Sequence, residues 1–123
     1  MRGDQIRLVL PADPQYGRVA RVAVQGLGVR LGLRSRAVED LRIAVDETLI
    51  FLLRPEGEGG EITFRFTIGA DRLLVDATST AGSGQHWVDQ GALARFEALV
   101  SDTVDVAMVD DLGGHVHLEK QLA

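Results

Sequence analysis

Leu41-Arg-Ile-Ala-Val-Asp-Glu-Thr-Leu-Ile-Phe51 is the stretch on which the reading of this chain turns. It has the spacing of a helix, with Glu39 and Asp40 ahead of it near the positive end of the macrodipole. Leu41, Ala44, Val45, Thr48, Leu49 and Leu52 make a broad stripe for burial, and Ile43, Ile50 and Phe51 add apolar surface beyond it. Such a helix is sandwiched between a sheet and another element, or lines a pocket. Glu47 stands where a nucleotide-dependent phosphotransferase wants a carboxylate. Positions four apart share a helix face, so Phe51 presents a phenyl ring where an oxygen or amide ligand for magnesium is needed.

Working outward, Ser35 is placed to cap this helix, which is expected to end near Leu53. An earlier helix is expected from about Gln15 to Val29, with Asp13 as its cap and Pro14 in its first turn. Its core stripe is read as Val19, Val22, Ala23 and Leu27, leaving Arg18, Arg21 and Gln25 outside. Ile6 to Leu10 reads as a strand stopped by Pro11, and residues 55–60 as a loop. Ile62, Phe64, Phe66 and Ile68 alternate, as do Leu73, Val75 and Ala77, across a connection short enough for a hairpin. A third helix is expected from Trp87 to about Val100, then strands over Val104 to Val109 and Val116 to Leu122. The order is one strand, two helices, a hairpin, a helix and a second hairpin, which implies an α+β sandwich: a mainly antiparallel sheet covered on one face by helices.

Composition narrows the function. The chain has 123 residues, 46% hydrophobic and 25% charged, as in an ordinary globular domain, and its length suits one domain over residues 1–123. A net charge of -5 argues against a direct nucleic-acid binder or an anionic membrane surface. No cysteine is present, which excludes disulfides, thiol catalysis and cysteine-ligated zinc. With no apolar signal core at Met1 to Gln5 and no run long enough to span a bilayer, the expected location is the cytoplasm.

Asp40-Leu-Arg-Ile-Ala-Val-Asp-Glu47, the hairpin from Glu61 to Ser79, Ala94 to Asp102, and Gly113-Gly-His-Val-His-Leu-Glu-Lys120 together resemble the histidine-kinase-like ATPase fold. Within that fold they resemble the serine-kinase-type anti-sigma factors of bacteria, and most closely an eroded actinobacterial branch. The likeness runs from about Ile6 to Leu122. It implies a sigma factor and an anti-anti-sigma (STAS-type) protein as partners, and a homodimer. It also implies an ATP and magnesium site on the helix of Glu47, and here the chain departs from the family. Phe51 replaces the magnesium-holding asparagine, Ser79-Thr-Ala81 falls where Asp-x-Gly would read adenine, and Gly82-Ser-Gly84 is a short remnant of the glycine-rich lid. Glu47 is then either a general base for phosphoryl transfer or a carboxylate that has outlived an ancestral site. No cofactor is expected on this reading; magnesium-ATP belongs to the alternative, an active serine kinase acting on the anti-anti-sigma partner.

Two further sets of side chains carry candidate chemistry. The run Ala20-Arg21-Val22 matches a family run whose arginine contacts both the sigma factor and its competitor, so Arg21, supported by Arg18, is the candidate partner contact. His115 and His117 share a strand face and could begin a metal site, but no third ligand is apparent in the sequence, and they are read as structural, as is His86 beside Trp87. No metal is expected.

Overall fold

The computed structural model describes residues 3–53, 59–80, 89–110 and 113–122. Its elements are β1 (Asp4–Pro11), a 3-10 turn (Pro14–Tyr16), α1 (Gly17–Arg30), α2 (Ser35–Leu52), β2 (Glu61–Ile68), β3 (Arg72–Ser79), α3 (Gln90–Val100), β4 (Val106–Val109) and β5 (His115–Gln121). The five strands form one antiparallel sheet in the order β1-β2-β3-β5-β4. This is the α+β layout expected from the sequence.

Alternation gives the sheet two unlike faces. Ile62, Phe64 and Phe66 of β2, Leu73, Val75 and Ala77 of β3, and Val116 and Leu118 of β5 are all buried. They join α2's Leu41, Val45, Leu49 and Leu52 in one core. All six residues of the α2 stripe are buried, and Thr48 is accommodated there because its hydroxyl donates to the Ala44 carbonyl at 2.7 Å. The opposite sheet face carries Arg65, Asp76, His115, His117 and Glu119. Between β2 and β3 the Gly69 amide donates to the Arg72 carbonyl at 2.8 Å, closing the expected hairpin.

Helix α1 departs from expectation. Val19 and Val22 are 45% and 57% exposed, whereas Gly17, Ala20, Val24, Leu27 and Gly28 are buried. Seven apolar residues occupy nearly every side of this helix, so periodicity alone does not single out a face. Close packing does. A β-carbon on Gly17 would stand 2.9 Å from Leu49 Cδ2, and one on Gly28 would stand 3.2 Å from Val38 Cγ2, so the small residues let α1 settle directly on α2. Gly28 therefore lies inside the helix, and Gly32, at φ +78°, ends it: the Leu33 amide donates to the Gly28 carbonyl and the Gly32 amide to the Val29 carbonyl, a Schellman motif.

Several boundaries are also corrected. Asp13 caps the 3-10 turn through the Gln15 amide at 3.0 Å, and the α-helix proper begins at Gly17. Arg34 occupies the cap position of α2, with Ser35 as the first helical residue, because the chain enters the helix directly from the Gly32 turn. Asp89 caps α3 by accepting from the Gly91 and Ala92 amides, and the expected start at Trp87 lies outside the described residues. β4 starts at Val106 instead of Val104, because Thr103 and Val104 continue α3's last turn with amides donating to the Val100 carbonyl. No helix among the described residues is long and apolar enough to cross a membrane.

Candidate functional site

Helix α2 lies between α1 and α3, and two consecutive carboxylates bind it to both. Asp46 Oδ1 accepts from Arg21 Nη1 at 2.8 Å, reaching α1. Glu47 Oε1 accepts from Arg95 Nη1 at 2.9 Å, reaching α3. Adjacent helical residues point about 100° apart, which is why one acidic pair serves two neighbours. Glu47's side chain is only 14% exposed, so its carboxylate is engaged rather than solvated.

Phe51 lies one turn beyond Glu47 and meets the same helix. Its ring centroid is 5.2 Å from that of Phe96, tilted by 38°, and Phe96 is 2% exposed. Glu47 and Phe51 thus share a face, as their spacing required, and what covers them is Arg95-Phe96. Neither of these α3 residues was legible as a site residue in the sequence, since only the packing of α3 on α2 brings them there.

At the end of β3 the polar backbone closes onto neighbouring strands. The Ser79 amide donates to the Gly114 carbonyl at 3.0 Å, the Thr80 amide to the Glu61 carbonyl at 2.9 Å, and the Glu61 amide to Thr80 Oγ1 at 2.9 Å. Ala81, Gly82 and Gly84, the rest of the expected adenine and lid positions, lie outside the described residues, as do His86 and Trp87.

Arg21 was read as facing away from the fold. Instead its side chain is two-thirds covered and tied to Asp46, because the close approach of α1 to α2 brings the arginine at the margin of the contact within reach of that acid. Arg18 is exposed on α1.

The histidine pair also differs from expectation. In the sequence no third ligand was apparent; in the sheet, Asp76 of β3 lies directly across from His117. Asp76 Oδ1 is 2.9 Å from His115 Nε2 and 2.7 Å from His117 Nδ1, and His117 Nε2 is 2.8 Å from Glu119 Oε2. Glu119 in turn accepts from Arg72 at 3.1 Å. Partial burial alone would depress the His117 pKa, but the hydrogen bonds and charges of Glu119 and Asp76 outweigh it and raise the pKa. Burial likewise opposes ionisation of Asp76, and the two histidines overcome it and hold its pKa low. Both ring nitrogens of His117 are engaged by carboxylates, which leaves neither free for a metal, and among the described residues no group of three or more His, Asp or Glu side chains is placed to hold one.

An antiparallel sheet covered on one face, with an acid-bearing helix at the centre of the cover, is the layout of the histidine-kinase-like ATPase class. No family model matches the chain. It is, however, 36% identical over 113 residues to the serine-protein kinase RsbW of Listeria monocytogenes serotype 4a (strain HCC23), covering 89% of this chain and 71% of that protein. Against RsbW of Bacillus pumilus (strain SAFR-032) it is 33% identical over 115 residues, 89% and 70% of the two chains. Against RsbW of Bacillus subtilis (strain 168) it is 35% identical over 113 residues, 89% and 69%. The chain belongs to the RsbW family, the serine-kinase-type anti-sigma family that its sequence resembles.

Proposed function

We propose that this protein is an anti-sigma factor that sequesters an alternative sigma factor, is countered by a STAS-type anti-anti-sigma protein, and works by protein binding without ATP. It acts as a cytoplasmic homodimer built from one domain over residues 1–123. Membership of the RsbW family supports the partner class. The absence of nucleotide chemistry rests on one observation: Glu47, the acid a phosphoryl transfer would use as general base, is neutralised by Arg95 at 2.9 Å.

The residues present do not fit a magnesium nucleotide. Phe51 offers no ligand atom and is packed on Phe96, and Glu47 already has its cation. Ser79, Ala81, Gly82 and Gly84 stand at the adenine and lid positions as a degenerate set. Protein recognition needs none of these contacts, only a surface, and Arg21 with Arg18 on α1 supplies the contact residues.

The second reading is an active serine kinase that phosphorylates the anti-anti-sigma protein. The observation in its favour is that the relatives quoted above are named serine-protein kinases. Co-purification of the tagged protein from its host, with identification of bound chains, tests the first reading. Recovery of a sigma factor in a complex that survives removal of nucleotide supports it, and a complex that dissociates on nucleotide removal supports the kinase.

A further inference from the structure

The sheet face turned away from α2 carries one directly registered row with a residue from each strand: Arg7, Arg65, Asp76, His117 and Met108. Arg7 of β1 and Arg65 of β2 stand opposite each other in it. Like charges in this position repel, because the side chains of directly opposite residues start only about 5 Å apart. Nothing in the fold offsets the repulsion: among the described residues neither arginine has an ion pair or a side-chain hydrogen bond.

Beside the arginines, three more polar groups have capacity that the fold does not use. Thr63 of β2 is directly opposite Thr78 of β3, and among the described residues neither hydroxyl has a hydrogen-bond partner. Asp76 is only half engaged. His115 Nε2 and His117 Nδ1 both meet its Oδ1, which leaves Oδ2 without a partner among the described residues. Thr63, Arg65, Asp76, Thr78 and His115 together line a cavity of about 250 Å³. It lies on the face opposite the buried Val75 and Ala77, so it shares no residue with Glu47, Phe51 or the arginines of α1.

We propose that this cavity is a binding site for inorganic phosphate, in which Arg65 and Arg7 neutralise the anion, Thr63 and Thr78 donate to its oxygens, and Asp76 Oδ2 accepts from its remaining hydroxyl. Guanidinium groups suit an oxyanion because their planar N–H donors can bond two oxygens at once. The acid sets the selectivity. An ionised carboxylate can only accept, so it repels an oxyanion without a proton and bonds one that has it. Burial opposes ionisation of Asp76, but His117 and His115 overcome it and keep the carboxylate charged at neutral pH. Inorganic phosphate retains at least one proton there, whereas sulfate has none and a phosphate monoester, with its second pKa at about 6, has mostly lost its own. The phosphodiesters of a nucleic acid have no proton to give either, and the chain's net charge of -5 disfavours a polyanion.

The test is isothermal titration of the intact protein at pH 7 with inorganic phosphate, sodium sulfate and glycerol 3-phosphate, each in a phosphate-free buffer at matched ionic strength. Phosphate should bind saturably with Kd below about 1 mM, and at least tenfold tighter than either of the other two. Arg65→Gln and Arg7→Gln should each weaken phosphate at least tenfold. Arg36→Gln, which removes an exposed and unpaired cation from α2 on the other side of the sheet, should leave it unchanged. Asp76→Asn replaces the acceptor by an amide and should bind sulfate at least as tightly as phosphate, a reversal of preference that a purely structural role would not produce. If Asp76→Asn does not fold, Thr78→Val decides instead: its hydroxyl is exposed and unpartnered, so the variant should keep the parent's thermal midpoint and weaken phosphate at least threefold. Absence of saturable phosphate binding, equal or tighter binding of sulfate or glycerol 3-phosphate by the parent, or affinity for phosphate that survives Arg65→Gln would each overturn the proposal.

Discussion

Glu47 and Arg95 face each other at 2.9 Å across the contact of α2 with α3, with the glutamate side chain 14% exposed and the arginine side chain 56% exposed. The asymmetry sets the energetics. Removing the arginine strands a largely buried charge, whereas removing the acid releases a cation that is already half in water. Arg95→Ala should therefore destabilise the protein by about 1 kcal/mol, after discounting for solvent screening of the guanidinium. Glu47→Gln should cost less, and the double variant less than the sum of the two. Denaturant unfolding of the four proteins measures all three quantities. Strict additivity would show that the pair contributes nothing.

The same pair governs nucleotide binding. Isothermal titration with magnesium-ATP should give no saturable heat at ligand concentrations up to about 1 mM, the range where a working nucleotide site would be filled. Micromolar affinity, together with phosphate transfer to an anti-anti-sigma protein that is abolished by Glu47→Ala, would establish the kinase reading instead.

Arg21 separates recognition from stability. As a hot-spot arginine, its replacement by alanine should weaken the sigma-factor complex by about 2 kcal/mol, roughly thirtyfold in affinity. Its tie to Asp46 adds a second effect. With side chains 33% and 27% exposed, that pair should be worth less than about 1 kcal/mol to folding. Asp46→Asn is the discriminating control, since it loosens the tie but leaves the guanidinium in place. A complex weakened equally by Arg21→Ala and Asp46→Asn would mean that Arg21 orders the α1–α2 contact and does not itself touch the partner.

The uncovered sheet face should make stability depend on pH in two regions. His117 has a raised pKa in the fold, so its contribution is fully present below the unfolded value of about 6.5 and is lost as pH rises through the folded value. Asp76 has a lowered pKa, so its contribution is present above the unfolded value of about 3.9 and is lost as pH falls through the folded one. Thermal midpoints of the parent and His117→Gln should differ most near pH 5.5 and converge toward pH 9. A difference that is constant across this range would mean that His117 stabilises by packing alone.

What the sequence determined by itself is what short-range periodicity encodes. The α2 stripe, the β2–β3 alternation and its tight connection are each specified within a dozen or so residues, and all the predicted α2 core positions are buried. The Glu47 and Phe51 relationship was legible for the same reason, since a helix fixes the geometry of residues four apart. The tertiary structure decided everything that depends on which helix meets which. On α1 almost every side is apolar, so hydrophobicity could not choose a face; Gly17 and Gly28 chose it by allowing close approach to α2, and in doing so turned Val19 and Val22 outward. Arg21 and Asp46 are 25 residues apart in sequence, Asp76 and His115 are 39 apart, and Glu47 and Arg95 are 48 apart. No local pattern encodes such pairs, because hydrogen bonds act over about 3 Å and only the packed fold brings these side chains to that distance.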